Sequence, residues 1–577
     1  MEQVDLLLRN AYVFNSYLKK FIKKDIAVKK HKFYWIDDEL KVNAKVEKDL
    51  TDKYVIPGLI DSHMHIESSM TTPNNFSNAV VKFGTTTIVA DDHEIANVAG
   101  ISGLKEYINS GENTLLDIFY AIPSSVPSTN EQMETTGGQI GIDEVTDLLK
   151  DSRIICLGEA MNFKGITGDS TSLIRQIIDK CLNIKPNFPI EGHCPQYSGE
   201  DLAKFIYAGV RSDHTQQTAQ SIVEKISNGM FIQIQRKTLN KDIIKAIYEN
   251  NLLEHVALVT DDVMPDDLLK GHLNSILKLA INSGMKPEDA IYISTYTPAR
   301  HMNLRDRGAI APGLIADFII LDDLSSFKIN SVYKNGLVIN NNNNDSSYDY
   351  SDKLSNSVKA KKLVKSDFIL KTNLVKHGLV DANIIGLNMN STFTNQINLK
   401  LEVKDNFVDW QTQDLCLLLV QERYSERNNI QFGLVKGALA KKGAIGSTWA
   451  HDHHNLMILG NDINAMMRVQ NRLIDEQGGY IVSDESSILE DVPLTIGGVV
   501  SLLPTSDLGK KVEHLRSCMN NLGYYNQNEI MSFSTLSLLV SQKIKISDKG
   551  LFDVKTQNKI PLFCFEHKKD FGNRIIK

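Results

Sequence analysis

Along residues 4–56 apolar and polar positions alternate in short runs: Val4-Asp5-Leu6-Leu7-Leu8, Ala11-Tyr12-Val13-Phe14, Asp25-Ile26-Ala27-Val28 and Phe33-Tyr34-Trp35-Ile36. Turn residues separate them. A period of two marks half-buried strands, so this stretch predicts a small β-sheet that needs a partner segment to close its core. From Val55 the pattern changes. Short apolar, β-rich runs recur at residues 55–60, 86–90, 118–122, 154–157, 189–190, 209–211, 231–234 and 256–260, most of them followed by helical sequence such as 201–206 and 241–247. Alternating strand and helix predicts a parallel sheet, and the count matches a (β/α)8 barrel.

Beyond the barrel, residues 308–322 read as turn, strand, turn. Residues 331–339 read as a hairpin around Asn335-Gly336. These strands can complete the amino-terminal sheet. The expected organisation of this α/β chain is a small β domain from 1–55 plus 305–340, a barrel from 56–304, a linker over 341–364, and an additional α+β domain over 365–577. The asparagine run from Asn340 to Asn344, followed by Asp345-Ser346-Ser347, reads as linker or exposed loop.

Composition narrows the class. A chain of 577 residues is too long for one core, and 42% hydrophobic with 23% charged residues is ordinary for a soluble protein. A net charge of −7 leaves no nucleic-acid footprint and favours a small-molecule partner. No signal peptide is expected from the amino terminus, and no apolar run approaches the ~20 residues of a membrane span. The six cysteines are scattered without a Cys-x-x-Cys pair, which fits a reduced, cytoplasmic protein.

Barrels of this kind carry their chemistry at the carboxyl ends of the strands. There stand His63 and His65; Asp91, Asp92, His93 and Glu94; Glu159; His193; Asp213 and His214; and Asp261 and Asp262. His63 and His65 share one face of an extended segment and can grip one cation. Six of these groups suit a divalent metal pair: His63, His65 and Asp261 on one ion, His193 and His214 on the other, Glu159 between them. Such a pair brings a shared water toward neutral pKa and clamps attacking and leaving groups. Asp261 is the natural general base. Imidazole and oxygen ligands without thiolate are compatible with manganese, iron or zinc. The reaction class is hydrolysis at an electron-poor carbon, in an amide or an amidine-like ring. The chain has no phosphate loop, no dinucleotide glycine fingerprint after a strand, no nucleophile elbow, and no His-x-Glu with Pro-Cys-x-x-Cys.

The run Pro57-Gly58-Leu59-Ile60-Asp61-Ser62-His63-Met64-His65 resembles the first-strand motif of the amidohydrolase superfamily. With Ile66-Glu67-Ser68-Ser69-Met70 it resembles the adenine deaminase family. Further matches are Gly84-Thr85-Thr86-Thr87, Leu157-Gly158-Glu159-Ala160-Met161-Asn162-Phe163, Gly192-His193-Cys194-Pro195, Thr260-Asp261-Asp262, Ala450-His451-Asp452-His453-His454-Asn455 and Pro493-Leu494-Thr495-Ile496-Gly497-Gly498. The resemblance implies hydrolysis of adenine to hypoxanthine and ammonia at a two-metal site, manganese first, with iron or zinc as alternatives. It implies that Glu159 bridges the ions in place of a carboxylated lysine. Glu67, His93 and Asp262 are the candidate substrate contacts, and a homo-oligomer is expected by analogy. Three positions depart from the family's pattern. Thr215 follows His214 where the family has glutamate, Gln235-Arg236-Lys237-Thr238 stands for Arg-Glu-Gly-Ser, and Asp91-Asp92-His93-Glu94 for Asp-Pro-His-Glu. Two alternatives therefore stay open: an amidohydrolase acting on another cyclic amidine or amide, and a non-catalytic relative. The role of the His451–Asn455 cluster is open as well.

Overall fold

Two stretches of chain share the first sheet. In the computed structural model, which describes residues 2–168, 171–339 and 348–565, its strands run in the order Leu337–Val338, Lys328–Lys334, Phe318–Asp323, Tyr54–Pro57, Gln3–Asn15, Lys20–Lys29, Lys32–Asp37. Asn43–Asp49 pairs with Gln3–Asn15 in parallel. The alternation turns Leu6, Leu8, Val13, Ile26, Val28 and Phe33 into one core with Phe318 and Tyr333. The hairpin turn at Asn335 and Gly336 has φ of 53° and 75°, the paired left-handed geometry an Asn-Gly turn favours.

The barrel is built from two parallel groups. Leu59–Met64, Thr85–Ala90, Asp117–Ile122, Ile154–Ala160 and Ile190–Gly192 lie side by side, and so do Ser212–Asp213, Phe231–Ile234 and Val256–Leu258. The groups join on both sides. Arg211 N donates to Ile190 O at 3.1 Å, and Asp261 N donates to His63 O at 3.2 Å beside a parallel bridge between Met64 and Asp261. Leu59–Met64 and Thr85–Ala90 are buried at every position, as strands covered on both faces must be. The outer helices carry one apolar face and polar caps: Asn240 accepts from the amides of Asp242 and Ile243, and Ile243, Ile244 and Ile247 turn inward from Lys241–Glu249.

Several strand boundaries differ from the expected ones. The run over 55–60 divides at Gly58, where a Cβ would lie 2.2 Å from Oγ1 of Thr86. Tyr54–Pro57 stays in the first sheet, and the barrel strand begins at Leu59. Barrel strands also continue past their apolar runs into the polar mouth, so His63, Glu159 and Asp213 sit inside strands. The run over 209–211 is displaced to Ser212–Asp213.

The asparagine run and Asp345-Ser346-Ser347 lie outside the described residues. The rest of the segment expected to be a linker is packed: Asp352–Ser355 is a short helix, and Leu354, Val358, Ala360 and Leu363 are buried. The chain then forms a largely antiparallel ten-stranded sheet, with the helix Ile463–Asp475 packed on it. This layer meets the barrel directly. Ser501 N donates to Met70 O at 2.8 Å, Arg516 pairs with Asp266 at 3.0 Å, and Asn455 Nδ2 donates to Thr135 O at 2.9 Å. Among the described residues no helix is long and apolar enough to cross a membrane.

Candidate metal centre at the barrel mouth

His63 is the penultimate residue of the strand Leu59–Met64, and His65 directly follows that strand. Their rings stand edge to face with centroids 5.1 Å apart. Nδ1 of His65 lies 2.8 Å from the carbonyl of Asp91, which fixes the ring proton there and leaves the Nε2 lone pair free. That Nε2 is 3.0 Å from Oε1 of Glu159 and 3.4 Å from Oδ1 of Asp261. Nε2 of His63 lies 3.7 Å and 3.6 Å from the same two oxygens and has no hydrogen-bond partner, although it is buried. Oε2 of Glu159 faces the other way, 3.1 Å from Nδ1 of His193 and 3.3 Å from Nε2 of His214. One carboxylate therefore presents one oxygen to each of two histidine groups.

The residues fit a divalent pair. The nitrogens of His193 and His214 stand 3.2 Å apart. Two imidazoles at about 2.1 Å from one ion, at angles between octahedral and tetrahedral, give roughly 3.0–3.4 Å. The donor set of imidazole and carboxylate, with one buried acceptor left orphaned, is what a borderline divalent cation satisfies. Burial raises the carboxyl of Glu159, yet the neighbouring imidazoles, His214 foremost, hold it well below the usual range. Asp261 is held low in the same way by His63 and His65.

A supporting layer orients these groups. Asp91 accepts the amide of Glu159 through Oδ2 at 2.9 Å. Asp213, wholly buried, accepts from Cys194 N, Thr215 N, Thr215 Oγ1 and Gln217 Nε2, and pairs with buried Lys225 at 2.6 Å. It thereby ties the loop after His193 to the loop after His214. Thr215 is turned into this network.

Gln235, part of a departure seen in sequence, donates from Nε2 to Oδ2 of Asp261 at 2.5 Å, and Lys237 stands 3.9 Å from the same oxygen. Sequence reading marked both positions as unusual without seeing that they close on the candidate base. Their placement directly after the strand Phe231–Ile234 was the available signal.

Of the candidate substrate contacts, His93 lies at the cluster, its ring 4.9 Å from that of His65. Asp262 is exposed and accepts from Ser68 Oγ at 2.6 Å. Glu67 faces the interior. Its short 3-10 turn points the carboxylate inward, where it is fully buried and accepts the amide of Ile95 at 3.1 Å, in the first turn of the helix His93–Ser110. It anchors that helix through Oε1, and its Oε2 has no hydrogen-bond partner.

The His451–Asn455 cluster, whose role the sequence left open, reaches the barrel mouth from the far end of the chain. His454 Nε2 meets Oε2 of Glu94, and Nδ1 of His451 lies 2.6 Å from Oε1 of the same carboxylate.

Comparison with known proteins agrees with this layout. Residues 54–339 match the amidohydrolase family, and residues 391–558 match the adenine deaminase C-terminal domain. The chain is 57% identical to the adenine deaminase of Lactobacillus delbrueckii subsp. bulgaricus over 98% of its own length and 100% of that protein's. It is 51% identical to adenine deaminase 2 of Oenococcus oeni, covering 97% and 99% of the two chains. Among solved structures, a crystal structure of an adenine deaminase aligns at 16% identity with a TM-score of 0.43, over 58% of this chain and 99% of that one.

Proposed function

The chain belongs to the adenine deaminase family of amidohydrolases, and from that premise we propose that its barrel mouth hydrolyses adenine to hypoxanthine and ammonia. The observation that carries the reading is Glu159, with one oxygen toward His63, His65 and Asp261 and the other toward His193 and His214. His63, His65 and Asp261 would hold one divalent ion, His193 and His214 a second, and Glu159 both; manganese is the first candidate, then iron or zinc. Bound there, the pair would supply Lewis acidity and an activated water at neutral pH.

The protein's own groups then move protons and hold geometry. Water gives its oxygen to C6, the C6–N6 bond breaks, and water's two protons end on the departing ammonia and on ring N1. Asp261 takes a proton from the water and returns it to N6. Gln235 fixes the Asp261 carboxylate by occupying Oδ2, and so sets which oxygen faces the substrate. His93 and Asp262 remain candidate contacts for the ring. The buried free cysteines support a reducing, cytoplasmic setting, and a homo-oligomer is part of the same proposal.

The test is ammonia release by the manganese-loaded protein across adenine, other aminopurines, and cyclic amides and amidines. Adenine should lead the panel. Turnover of another cyclic amidine alone would move the substrate, a reading favoured by Lys237 beside Asp261. Metal content without turnover on any member would sink the enzymatic reading.

A further inference from the structure

One turn of the C-terminal layer, residues 451–455, enters the barrel mouth. Its histidines and Glu94 have the spacing of a metal site, but their hydrogen bonds argue otherwise. Nδ1 of His454 accepts the amide of Ala450 at 3.2 Å, so the ring proton sits on Nε2 and points at Glu94. A nitrogen carrying that proton is a donor, not a ligand. Glu94, hydrogen-bonded to His454 and close against Nδ1 of His451, is a clasp that seats the turn. Ser534 Oγ accepts from His451 N at 3.1 Å, and Tyr424 donates to His453 O at 2.6 Å.

The clasp does not use Asp452. Asp452 is 5% exposed, yet among the described residues no hydrogen bond reaches its carboxylate, and Nδ1 of His451 stands 4.0 Å from Oδ1. One oxygen of Asp452 lies within 4.8 Å of His93 and Glu94, and His93 lies within 4.8 Å of Asp91 and Glu159. A single imidazole thus separates Asp452 from the bridging carboxylate. A carboxylate held at the mouth with no donor from the protein is free to accept a hydrogen bond from a ligand. The barrel offers few readers for a purine's far edge: Thr215 is committed to Asp213, and Gln235 to Asp261.

We propose that Asp452, delivered by the C-terminal layer and braced by the Glu94 clasp, contacts the ring edge of the purine opposite the reacting carbon. It then stands as a specificity-determining residue supplied from outside the barrel. The inference rests on the purine reading above, and its test separates the two. Wild-type, Asp452→Ala and Asp452→Asn holoproteins are compared for metal content, thermal unfolding, hypoxanthine affinity by calorimetry, and kcat and KM on adenine. Asp452→Ala should keep its metal and its unfolding temperature, weaken hypoxanthine binding about tenfold or more, and lower kcat/KM by at least as much. Asp452→Asn, which keeps the shape and polar edge, should recover part of the binding. Hypoxanthine affinity and kcat/KM within threefold of wild type in Asp452→Ala would overturn the inference, as would metal loss in both variants. Wild type that binds hypoxanthine without releasing ammonia from adenine would sink the adenine reading alone. Wild type that binds neither purine would sink both.

Discussion

Lys225 is the residue whose removal tests the site's architecture most directly. Its ammonium is 1% exposed and pairs with a fully buried Asp213 at 2.6 Å, while also donating to Cys194 O at 2.6 Å. Replacing Lys225 with Met keeps the apolar stem and leaves the Asp213 carboxylate buried with only neutral donors. Breaking one side of a buried pair costs about 3–5 kcal/mol. For a barrel-sized unit that lowers the unfolding temperature by about 6–20 °C, at roughly 2–4 °C per kcal/mol. Asp213→Asn should cost a similar amount, since it strands the lysine. The double variant should cost much less than the sum, because no charge is left uncompensated. Because Asp213 ties the loops after His193 and His214, Lys225→Met should also weaken metal retention there by about 10–100-fold, as losses in supporting hydrogen bonds do. The assay is a double-mutant cycle by calorimetry with metal analysis of each protein. Additive single effects, within about 0.5 kcal/mol, would refute the coupling. Full metal retention in Lys225→Met would refute the bracing role.

Other outcomes follow from the same geometry. His65→Ala should abolish turnover and strip metal, since its Nε2 faces both Glu159 and Asp261; full activity in that variant would remove the metal reading. Gln235→Leu should lower kcat by about 10–100-fold with metal retained and KM little changed, because the base loses its orienting donor; an unchanged kcat would show Asp261 needs no such partner. Lys545 is wholly buried, donates to Thr392 O and Thr535 O, and is pushed down to about 7 by burial. Its folded value lies below its unfolded one, so between about pH 7 and ~10 the unfolded chain binds the extra proton and stability rises with pH. Lys545→Met should flatten that rise in chemical denaturation of the C-terminal layer, and an unaltered slope would contradict it.

What could be read from the chain alone was local. His63 and His65 share a face because a strand repeats every two residues. Glu159, His214 and Asp261 are found because parallel strands in a barrel end together, so one rule about polar positions after apolar runs collects them. The same rule placed strand ends too early, since it stops at the first polar residue while the strand continues into the mouth. The inward direction of Glu67 was not legible for a related reason: it lies on a one-turn 3-10 segment, and no periodicity spans so short an element. The Asp213–Lys225 pair joins a strand to the following helix, which hydropathy sees only as a lysine on an otherwise amphipathic segment.

The contact between Glu94 and His454 is of another kind, because 360 residues separate its partners. Nothing local to His451-Asp452-His453-His454-Asn455 distinguishes an exposed polar turn from one driven into a neighbouring mouth. The distinction arises only when the C-terminal layer docks through Ser501, Arg516 and Asn455. The docking brings Asp452 beside His93 and Glu94, while His63, His65, Glu159, His193, His214 and Asp261 come from the barrel's own strand ends. A cation site needs donors that converge on one point, and the strand ends of a barrel provide that convergence. The edge of a flat substrate can be met from any wall that reaches it. On the proposal above, Asp452 meets the substrate from that wall, while Thr215 serves the Asp213 brace and Gln235 orients Asp261.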